Sequence, residues 1–285
     1  MYHPMQYKLI RGYFTCLNAL SPDLALYSAY RLFHRPVNPK RRNRNAKPLP
    51  PAESFFVPMD DDRAIQAYRW GPKEAPAVLL VHGWSTNPES MSHFASLLLE
   101  NGYRVFSYDA LRHGRSSHTF SDLADWADSV RAVMASIGPV ECIIAHSFGG
   151  AAVTVASKLG LETKKLVLVS PIHDIRTVVR NFAVHFGIPS EIVERLSDYT
   201  WHKNAERFSK YGKDWSDIVT SAFHVPTLIF HDEADREIGI EHSRHLCQKW
   251  PWAELHTTKG LGHRRILDDE TVAKEILRFI RNDSQ

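Results

Sequence analysis

The chain contains 285 residues, of which 44% are hydrophobic, 24% charged and 11% aromatic, with a formal net charge of +3. This composition is typical of a folded domain with a large core, and it excludes a disordered chain, which has fewer apolar residues and more net charge. The three widely spaced cysteines exclude a disulfide scaffold and favour a reducing, cytoplasmic location. The apolar runs are short, so we expect neither a membrane span nor a signal peptide.

Positive charge is concentrated in the first 50 residues, which carry nine Lys or Arg and one acidic residue. Their net charge of +8 leaves −5 for the rest of the chain. Apolar residues recur at helical spacing at the start of this arm, and Ser21 followed by Pro22 is typical of the cap and first position of a second helix. Residues 36–51 are rich in Pro, Arg and Asn without apolar periodicity, which indicates a linker. We therefore predict a helical arm and basic linker over residues 1–51.

The basic arm allows several interpretations. We favour a solvated linker that tethers a helix packed on the rest of the chain or on a second copy, as in a homo-oligomer. Contact of residues 1–47 with an anionic membrane surface is an alternative, because each basic residue near such a surface contributes about 1 kcal/mol. Nucleic acid is not expected as a partner, since no recognition fold accompanies the charges.

From Glu53 onward, strands and helices are predicted in alternation. The predicted strands are Ser54–Val57, Ala64–Trp70, Ala77–Val81, Tyr103–Tyr108, Val140–Ala145, Lys165–Ser170, Thr227–His231 and Ala253–His256. The predicted helices are Pro88–Glu100, Leu123–Ile137, Phe148–Leu159, Ile240–Trp250 and a last helix with an apolar stripe of Val272, Ile276, Phe279 and Ile280. This alternation predicts an α/β fold with a mostly parallel central sheet and helices on both faces. The expected core comprises residues 52–171 and 225–285.

Residues 172–224 interrupt the alternation. They lack a buried strand, have a helical pattern and contain eight aromatic residues. These are Phe182, Phe186, Tyr199, Trp201, Phe208, Tyr211, Trp215 and Phe223. Because α/β proteins bind ligands where parallel strands end, and long insertions in compact domains are usually functional, we predict a helical lid or cap. A helical subdomain that only covers the sheet edge is the alternative.

A serine lies at a predicted strand-to-helix turn in the segment I-I-A-H-S-F-G-G of residues 143–150. Such a turn strains the backbone and requires small neighbours, and Ala145 and Gly149 lie two residues before and after Ser147. The turn presents the Ser147 hydroxyl at the ligand-binding edge of the sheet and directs the helix N-terminus toward an anion formed there. A tight turn with an incidental serine is the alternative.

This segment resembles the nucleophile elbow of the α/β-hydrolase family, G-x-S-x-G, with alanine at the first glycine. The resemblance extends from about Glu53 to the C-terminus and implies the α/β-hydrolase fold with Ser147 as nucleophile. In that family an acid and then a histidine follow the nucleophile along the chain. The segment H-D-E-A-D of residues 231–235 resembles the family's H-G-x-x-D and implies Asp235 as the acid. Asp232 and Glu233 are neighbouring carboxylates and remain alternatives.

The resemblance also implies His263 as the base, because G-L-G-H of residues 260–263 matches a glycine-histidine pair near the end of the family's chain. Histidine suits this role, since its unperturbed pKa of about 6.5 lets it accept and return a proton near neutral pH. The aspartate follows the serine by 88 positions, and the histidine follows the aspartate by 28.

The segment His82-Gly83-Trp84 follows a predicted strand and resembles the family's oxyanion loop. The resemblance implies the backbone N–H groups of Trp84 and Phe148 as oxyanion donors. We expect His82 to brace this loop, and we expect Trp84 and His146 to contact the substrate. A further loop of the family, mainly structural, resembles residues 109–116.

Several motifs are absent from the sequence. It contains no phosphate-binding or dinucleotide-binding glycine motif, and no C-x-x-C or H-E-x-x-H metal spacing. We therefore expect no cofactor and no metal. The resemblance implies a serine hydrolase that cleaves a small-molecule carboxylic ester through an acyl-enzyme on Ser147. A thioesterase or acyltransferase with the same three residues is one alternative, and a non-catalytic binding protein on this fold is another.

Overall fold

The computed structural model describes residues 4–36, 49–60, 62–116, 121–212 and 224–281. Most of the predicted basic linker, together with Trp215 and Phe223 of the predicted lid, lies outside these residues. The described residues divide into two compact units. One combines those of Met1–Val37 with those of Asp174–Ile218, and the other combines those of Asn38–His173 with those of Val219–Gln285.

The second unit, which we call the sheet unit, is built on a sheet of eight strands in its described part. The strands are β1 Glu53–Pro58, β2 Ala64–Trp70, β3 Ala77–Val81, β4 Arg104–Tyr108, β5 Cys142–His146, β6 Lys165–Val169, β7 Thr227–Asp232 and β8 Ala253–Thr258. Their order in the sheet is β1-β2-β4-β3-β5-β6-β7-β8. The β1–β2 and β2–β4 pairs are antiparallel, and all the other pairs are parallel. The carboxyl ends of β3 and β5 to β8 therefore meet at one edge.

The helices of both units are numbered together in chain order. They are α1 Pro4–Leu20, α2 Pro22–Phe33, α3 Ser92–Glu100, α4 Leu123–Ile137, α5 Phe148–Ser157, α6 Ile175–His185, α7 Ser190–Lys203, α8 Ala205–Ser209, α9 Glu241–Lys249, α10 Gly262–Arg265 and α11 Glu270–Arg281. The first predicted helix of the sheet unit is shorter than expected, because Pro88–Met91 forms a 3₁₀ turn ahead of α3. The other strand and helix boundaries agree with the predictions to within two residues.

Helices cover both faces of the sheet. On one face, apolar residues of α3 and α11 pack with alternate residues of the strands, such as Leu80, Ile144 and Val167, in one buried cluster. On the other face, α5 approaches β6 so closely that a Cβ at Gly150 would lie 3.3 Å from a methyl group of Leu168. The central strands are apolar on both sides for this reason, as the sequence predicts for a parallel sheet. The predicted fold class, an α/β-hydrolase fold with a mostly parallel sheet, is confirmed.

The first unit, which we call the helical unit, contains α1, α2 and α6 to α8. The predicted cap is confirmed, because the Ser21 side chain accepts a hydrogen bond from the Leu24 N–H at 3.4 Å and Pro22 occupies the first turn of α2. The N-terminal helices pack against the inserted ones, since the Tyr30 ring meets that of Tyr199 edge-on at 5.4 Å. The N-terminal arm and the insertion therefore share one unit, which the sequence did not indicate.

The interpretation of residues 172–224 as a lid stays a prediction. No helix among the described residues combines the length and the apolar character needed to cross a membrane.

An ion-pair cluster links β8 to α11 within the sheet unit. The imidazole of His256 lies 2.8 Å from Glu275 through Nδ1 and 2.8 Å from Glu254 through Nε2. Burial opposes protonation of His256, but the hydrogen bonds with Glu275 and Glu254 outweigh it and raise the pKa. Because the folded pKa lies above the unfolded value of about 6.5, the stabilisation is fully present below that pH. It is lost as the pH rises through the folded pKa.

We expect His256→Gln to lower the free energy of unfolding by about 0.5–1 kcal/mol at pH 6, a range set by the partial exposure of the cluster. The difference from the wild type should shrink as the pH rises through the raised pKa of His256, because the wild-type ring then loses its proton. Thermal melts of both proteins from pH 5.5 to 9 measure this convergence. A difference that stays constant across that range would contradict the ion-pair explanation.

Candidate active site

Ser147 occupies the turn between β5 and α5 in the sheet unit. Its backbone has φ 53° and ψ −121°, a region that non-glycine residues rarely adopt and that is strained. The Ser147 N–H donates to the Val169 carbonyl at the end of the neighbouring strand β6, with an N–O distance of 2.9 Å. The strained turn predicted from the sequence is therefore present, and it sets the serine at the carboxyl edge of the sheet.

Two glycines allow the chain to pack closely around this turn. A Cβ at Gly149 would collide with the backbone of His82 and would lie 2.8 Å from the Val81 carbonyl oxygen, so glycine lets α5 begin against the end of β3. A Cβ at Gly83 would lie 3.2 Å from the Cβ of Ser147. The loop that follows β3 therefore touches the serine, and a larger side chain at either glycine would separate them.

Ser147, His263 and Asp235 form a continuous chain of hydrogen bonds. The Ser147 Oγ lies 3.0 Å from His263 Nε2, and His263 Nδ1 lies 2.7 Å from Asp235 Oδ2. All three residues are less than 10% exposed, at 7% for Ser147, 8% for His263 and 9% for Asp235. Since Nδ1 faces a carboxylate, it donates its proton there, which leaves Nε2 free to accept the hydroxyl proton of the serine. The structure thus brings together the three residues that the sequence placed far apart.

The environment of Asp235 favours its ionised form. Burial opposes ionisation, but hydrogen bonds from His231 and His263 outweigh it and lower the pKa of Asp235 below its ordinary value. The other carboxylate oxygen accepts two backbone N–H groups, from Glu237 and Ile238, each at 2.9 Å. The negative charge beside His263 is therefore held by the loop after β7 and does not depend on the histidine alone.

His231 is a supporting residue that the sequence analysis quoted in its motif without a role. It is fully buried on β7, and its Nε2 donates to the Ile238 carbonyl at 2.9 Å while lying 3.4 Å from Asp235 Oδ2. Its Nδ1 accepts from the Ser243 hydroxyl at 2.6 Å. These bonds fix the ring, so that its Nε2 also faces the carboxylate oxygen that His263 contacts.

Asp232, the first alternative acid, binds a different part of the chain. Its Oδ2 accepts from the Thr258 hydroxyl at 2.8 Å and from the Leu261 N–H at 2.9 Å, and its Oδ1 accepts from the Ala234 N–H at 2.9 Å. Burial opposes ionisation of Asp232, but these donors and the Gly262 N–H lower its pKa. This carboxylate therefore fastens the loop that carries His263 to the end of β7.

Glu233, the second alternative acid, is exposed and lies 3.7 Å from the Lys259 ammonium group. Of the three candidate acids, Asp235 is therefore the one whose carboxylate contacts His263.

Two neutral histidines brace the loop after β3. The His82 Nδ1 donates to the Gly83 carbonyl at 2.8 Å, and its Nε2 accepts from the Ala110 N–H at 3.1 Å. The His113 Nε2 accepts from the Ser85 N–H at 3.0 Å. Burial lowers the pKa of His82, and it lowers the pKa of His113 to about 3, so both rings stay neutral. The expectation that His82 braces the loop agrees with these bonds, whereas the role of His113 was missed.

Trp84 and Phe148, whose N–H groups were predicted as oxyanion donors, lie side by side. Their rings meet edge-on with centroids 5.3 Å apart, and Trp126 packs against both. Phe148 is the first residue of α5, where backbone N–H groups have no carbonyl partner within the helix and the helix dipole is positive. Both residues therefore flank Ser147, on the loop after β3 and on the helix after β5.

His146, which we expected to contact substrate, has a different environment. Its side chain is only 2% exposed, and its Nε2 donates to the backbone carbonyl of His263 at 3.0 Å. Burial holds the pKa of His146 well below its ordinary value. The ring contacts the backbone of the loop that carries His263. The expected substrate contact is therefore corrected: the buried His146 ring positions this loop instead.

The loop of residues 109–116, for which the resemblance implies a structural role, is held together by contacts of Asp109. Asp109 accepts hydrogen bonds from the Tyr68 hydroxyl at 2.8 Å and from the Arg115 N–H at 2.9 Å. A Cβ at Gly114 would overlap the Asp109 carboxylate. Within the described ranges, no group of three or more His, Cys, Asp or Glu side chains is arranged to hold a metal ion.

The chain is similar in sequence and fold to several known proteins. A sequence model of the alpha/beta hydrolase family matches residues 78–275. A bifunctional esterase/perhydrolase, DCH, from Acinetobacter calcoaceticus is 30% identical over 276 residues, which cover 80% of this chain and 99% of the relative. A non-heme haloperoxidase from Rhodococcus erythropolis is 23% identical over 276 residues, with the same coverage of 80% and 99%.

A solved structure, an esterase from Pyrococcus furiosus, resembles the fold with a TM-score of 0.63 at 15% identity, covering 85% of this chain and 99% of its own. The relatives support an esterase-like hydrolase. Because the family model spans more than half of the sequence and the Acinetobacter relative aligns along nearly its whole length, the chain belongs to the alpha/beta hydrolase family.

Proposed function

We propose that the protein is a serine hydrolase that cleaves carboxylic esters through an acyl-enzyme on Ser147. The observation that carries this proposal is the chain of hydrogen bonds at the strained turn, with Ser147 Oγ 3.0 Å from His263 Nε2 and His263 Nδ1 2.7 Å from Asp235. A serine hydroxyl is a weak nucleophile until an adjacent base, itself oriented by a third group, accepts its proton. Each of those groups is present at hydrogen-bonding distance.

In the first half of the proposed reaction, Ser147 Oγ attacks the ester carbonyl carbon while its proton passes to His263 Nε2. Asp235 stabilises the resulting imidazolium, because its carboxylate already accepts the Nδ1 proton. The N–H groups of Trp84 and Phe148 hold the oxygen that becomes negative. The carbon–oxygen bond to the alcohol then breaks, and the departing alkoxide takes the proton from His263 Nε2.

In the second half, water loses a proton to His263 Nε2 and attacks the carbonyl carbon of the acyl-enzyme. The bond to Ser147 Oγ breaks, and the serine regains its proton from the imidazolium as the carboxylic acid leaves. This cycle requires only the side chains and backbone groups of the chain, without a cofactor.

A second candidate changes only the acceptor of the acyl group. The Acinetobacter relative, 30% identical over 80% of this chain, is named an esterase/perhydrolase, which favours hydrogen peroxide as an acceptor that competes with water. Peroxide would attack the same acyl-enzyme, yielding a peracid in place of the acid. Thioester substrates and alcohol acceptors remain alternatives on the same three residues, and a non-catalytic binding role is the remaining rival.

The first experiment measures hydrolysis of p-nitrophenyl esters from acetate to laurate, with and without hydrogen peroxide. We expect Ser147→Ala to lower kcat by about 10³-fold or more, because no other group then forms the acyl-enzyme. Release of p-nitrophenol and of peracid distinguishes hydrolysis from perhydrolysis. If the wild type, shown to be folded by circular dichroism, is no more active than the variant on any ester or thioester, the catalytic proposal is wrong.

A paired experiment separates the two buried aspartates. Asp235→Asn should lower kcat by about 10³–10⁴-fold, because an amide orients His263 in the wrong tautomer. Asp232→Asn should mainly lower the melting temperature and reduce kcat less, because it loosens the loop between Thr258 and Gly262 without touching the imidazole. Rates and thermal melts of both variants test this. The reverse ranking of the two rates would make Asp232 the acid.

The approach of the loop after β3 can be tested at Gly83. Its Cβ would lie 2.8 Å from His146 Nδ1, so Gly83→Ala should push the loop from Ser147 and displace the Trp84 N–H. Loss of one oxyanion donor lowers turnover by about 10²–10³-fold. Gly239→Ala is the matched control in the same unit, because a Cβ there meets no atom within 4 Å. Equal kcat values for the two variants would refute the role of the Trp84 N–H.

A further inference from the structure

Exposed apolar side chains are concentrated on the first two helices. Among the described residues, seven large hydrophobic side chains are exposed, and five of them belong to α1 and α2. They are Leu9, Tyr13, Leu20, Leu24 and Tyr27, with exposed fractions from 44% for Tyr27 to 83% for Leu20. The other two, Phe56 and Val184, lie on β1 and α6. Scattered exposed apolar residues are ordinary, whereas a cluster marks an interaction surface.

The five residues lie on one side of each helix, and together we call them the outer face. Leu9, Tyr13 and Leu20 recur at spacings of four and seven residues along one side of α1, and Leu24 and Tyr27 are three residues apart on α2. The two helices form a hairpin that the Tyr13 hydroxyl bridges, since it lies 3.1 Å from the Ser28 hydroxyl. The outer face therefore runs across both helices.

The inner side of the hairpin is occupied by the rest of the helical unit. Phe14 is 1% exposed, and Tyr30 is buried against Tyr199 and within 3.5 Å of the Asn204 side-chain oxygen. The residues of the outer face thus remain exposed when the hairpin packs. They do not contribute to the core of the helical unit.

The charged residues of α1 and α2 are mostly positive, with three basic residues and one acidic residue. Lys8 and Arg31 are exposed beside it, and the Arg31 guanidinium donates to the Tyr27 hydroxyl at 3.2 Å. The only acidic residue of α1 and α2 is Asp23, which is paired with Arg195 at 2.6 Å. After α2 the sequence continues through Arg35 into five further Lys or Arg residues by position 47. The net positive charge of the two helices and of the sequence that follows them suits an anionic partner.

We propose that the outer face binds a membrane surface that contains anionic lipid headgroups. Leucines inserted beside tyrosines and flanked by basic residues have the chemistry of helices that lie in the headgroup region of a bilayer. A second copy of the chain fits less well, because two such faces would bring like charges together. This binding property goes beyond the proposed ester hydrolysis and does not depend on it.

The test uses the full chain with lipid vesicles. Cys16 is exposed on the same helix, seven residues after Leu9, while Cys142 is buried. In a Cys247→Ser background, Cys16 can therefore carry an environment-sensitive fluorophore. We expect its emission to shift to shorter wavelength with vesicles of 70% phosphatidylcholine and 30% phosphatidylserine, and to change little with phosphatidylcholine alone. Co-sedimentation of the unlabelled wild type with the same vesicles measures affinity without the label.

Matched variants distinguish binding through the outer face from nonspecific adsorption to vesicles. We expect the triple variant Leu9→Gln, Leu20→Gln, Leu24→Gln to bind anionic vesicles at least tenfold more weakly, with its melting temperature and esterase rate unchanged. The control, Phe56→Gln with Val184→Gln, removes exposed apolar residues elsewhere and should bind like the wild type. Lys8→Gln with Arg31→Gln should weaken binding by about fivefold for each charge removed.

Three results would overturn the proposal. One is a wild type that does not bind anionic vesicles. Another is undiminished binding by the triple variant, which would show that charge alone accounts for the binding. The third is a wild-type dimer in analytical ultracentrifugation that dissociates in the triple variant and does not bind lipid, which would assign the outer face to a second copy.

Discussion

The close approach of α5 to the end of β3 places Ser147 beside the loop that carries Trp84. It requires glycine at position 149, because any side chain there would strike the backbone of the neighbouring strand. Ser147 has a strained positive φ in the turn before α5, and Gly83 packs directly against the serine. The backbone strain, of about 1–3 kcal/mol for such a conformation, is tolerated because the buried strands and helix on either side fix both ends of the turn.

Two carboxylates, one at the end of β7 and one in the loop after it, have different roles. Asp232 accepts hydrogen bonds from the segment that leads to His263 and so fixes the position of the ring. Asp235 contacts the ring itself and supplies the negative charge that an imidazolium requires. Both are held by donors from their surroundings, which keeps them ionised despite burial. A family motif with glycine at the first of these positions would lack the Asp232 bonds, so this chain has an additional link between the two loops.

Much of the sheet unit follows from local patterns in the sequence. Apolar strands alternating with amphipathic helices predict a parallel sheet because few other arrangements bury both faces. Ser147, Asp235 and His263 could be selected because each follows a predicted strand in a recognisable motif. His146 was assigned a substrate contact because it adjoins the serine, but strand residues alternate in direction and this side chain points behind His263.

Other features depend on contacts between distant segments. The roles of His113, His231 and Asp232 follow from hydrogen bonds that become visible only once the loops are folded together. The sequence did not predict the shared helical unit for the same reason. That unit depends on contacts such as the one between Tyr30 and Asn204, which are 174 positions apart. Periodicity reports which side of a helix is apolar, but it does not identify the partner that covers that side.

That separation has a consequence for synthesis on the ribosome. The hairpin of α1 and α2 emerges before the sheet unit, yet the helices that cover Tyr30 follow only after β1 to β6 have been made. At about 5–20 residues per second, a gap of that length corresponds to roughly 9–35 s. During this interval both the inner and the outer sides of the hairpin expose apolar residues. The nascent chain therefore exposes an apolar segment to chaperones, and half of that segment is buried in the folded protein.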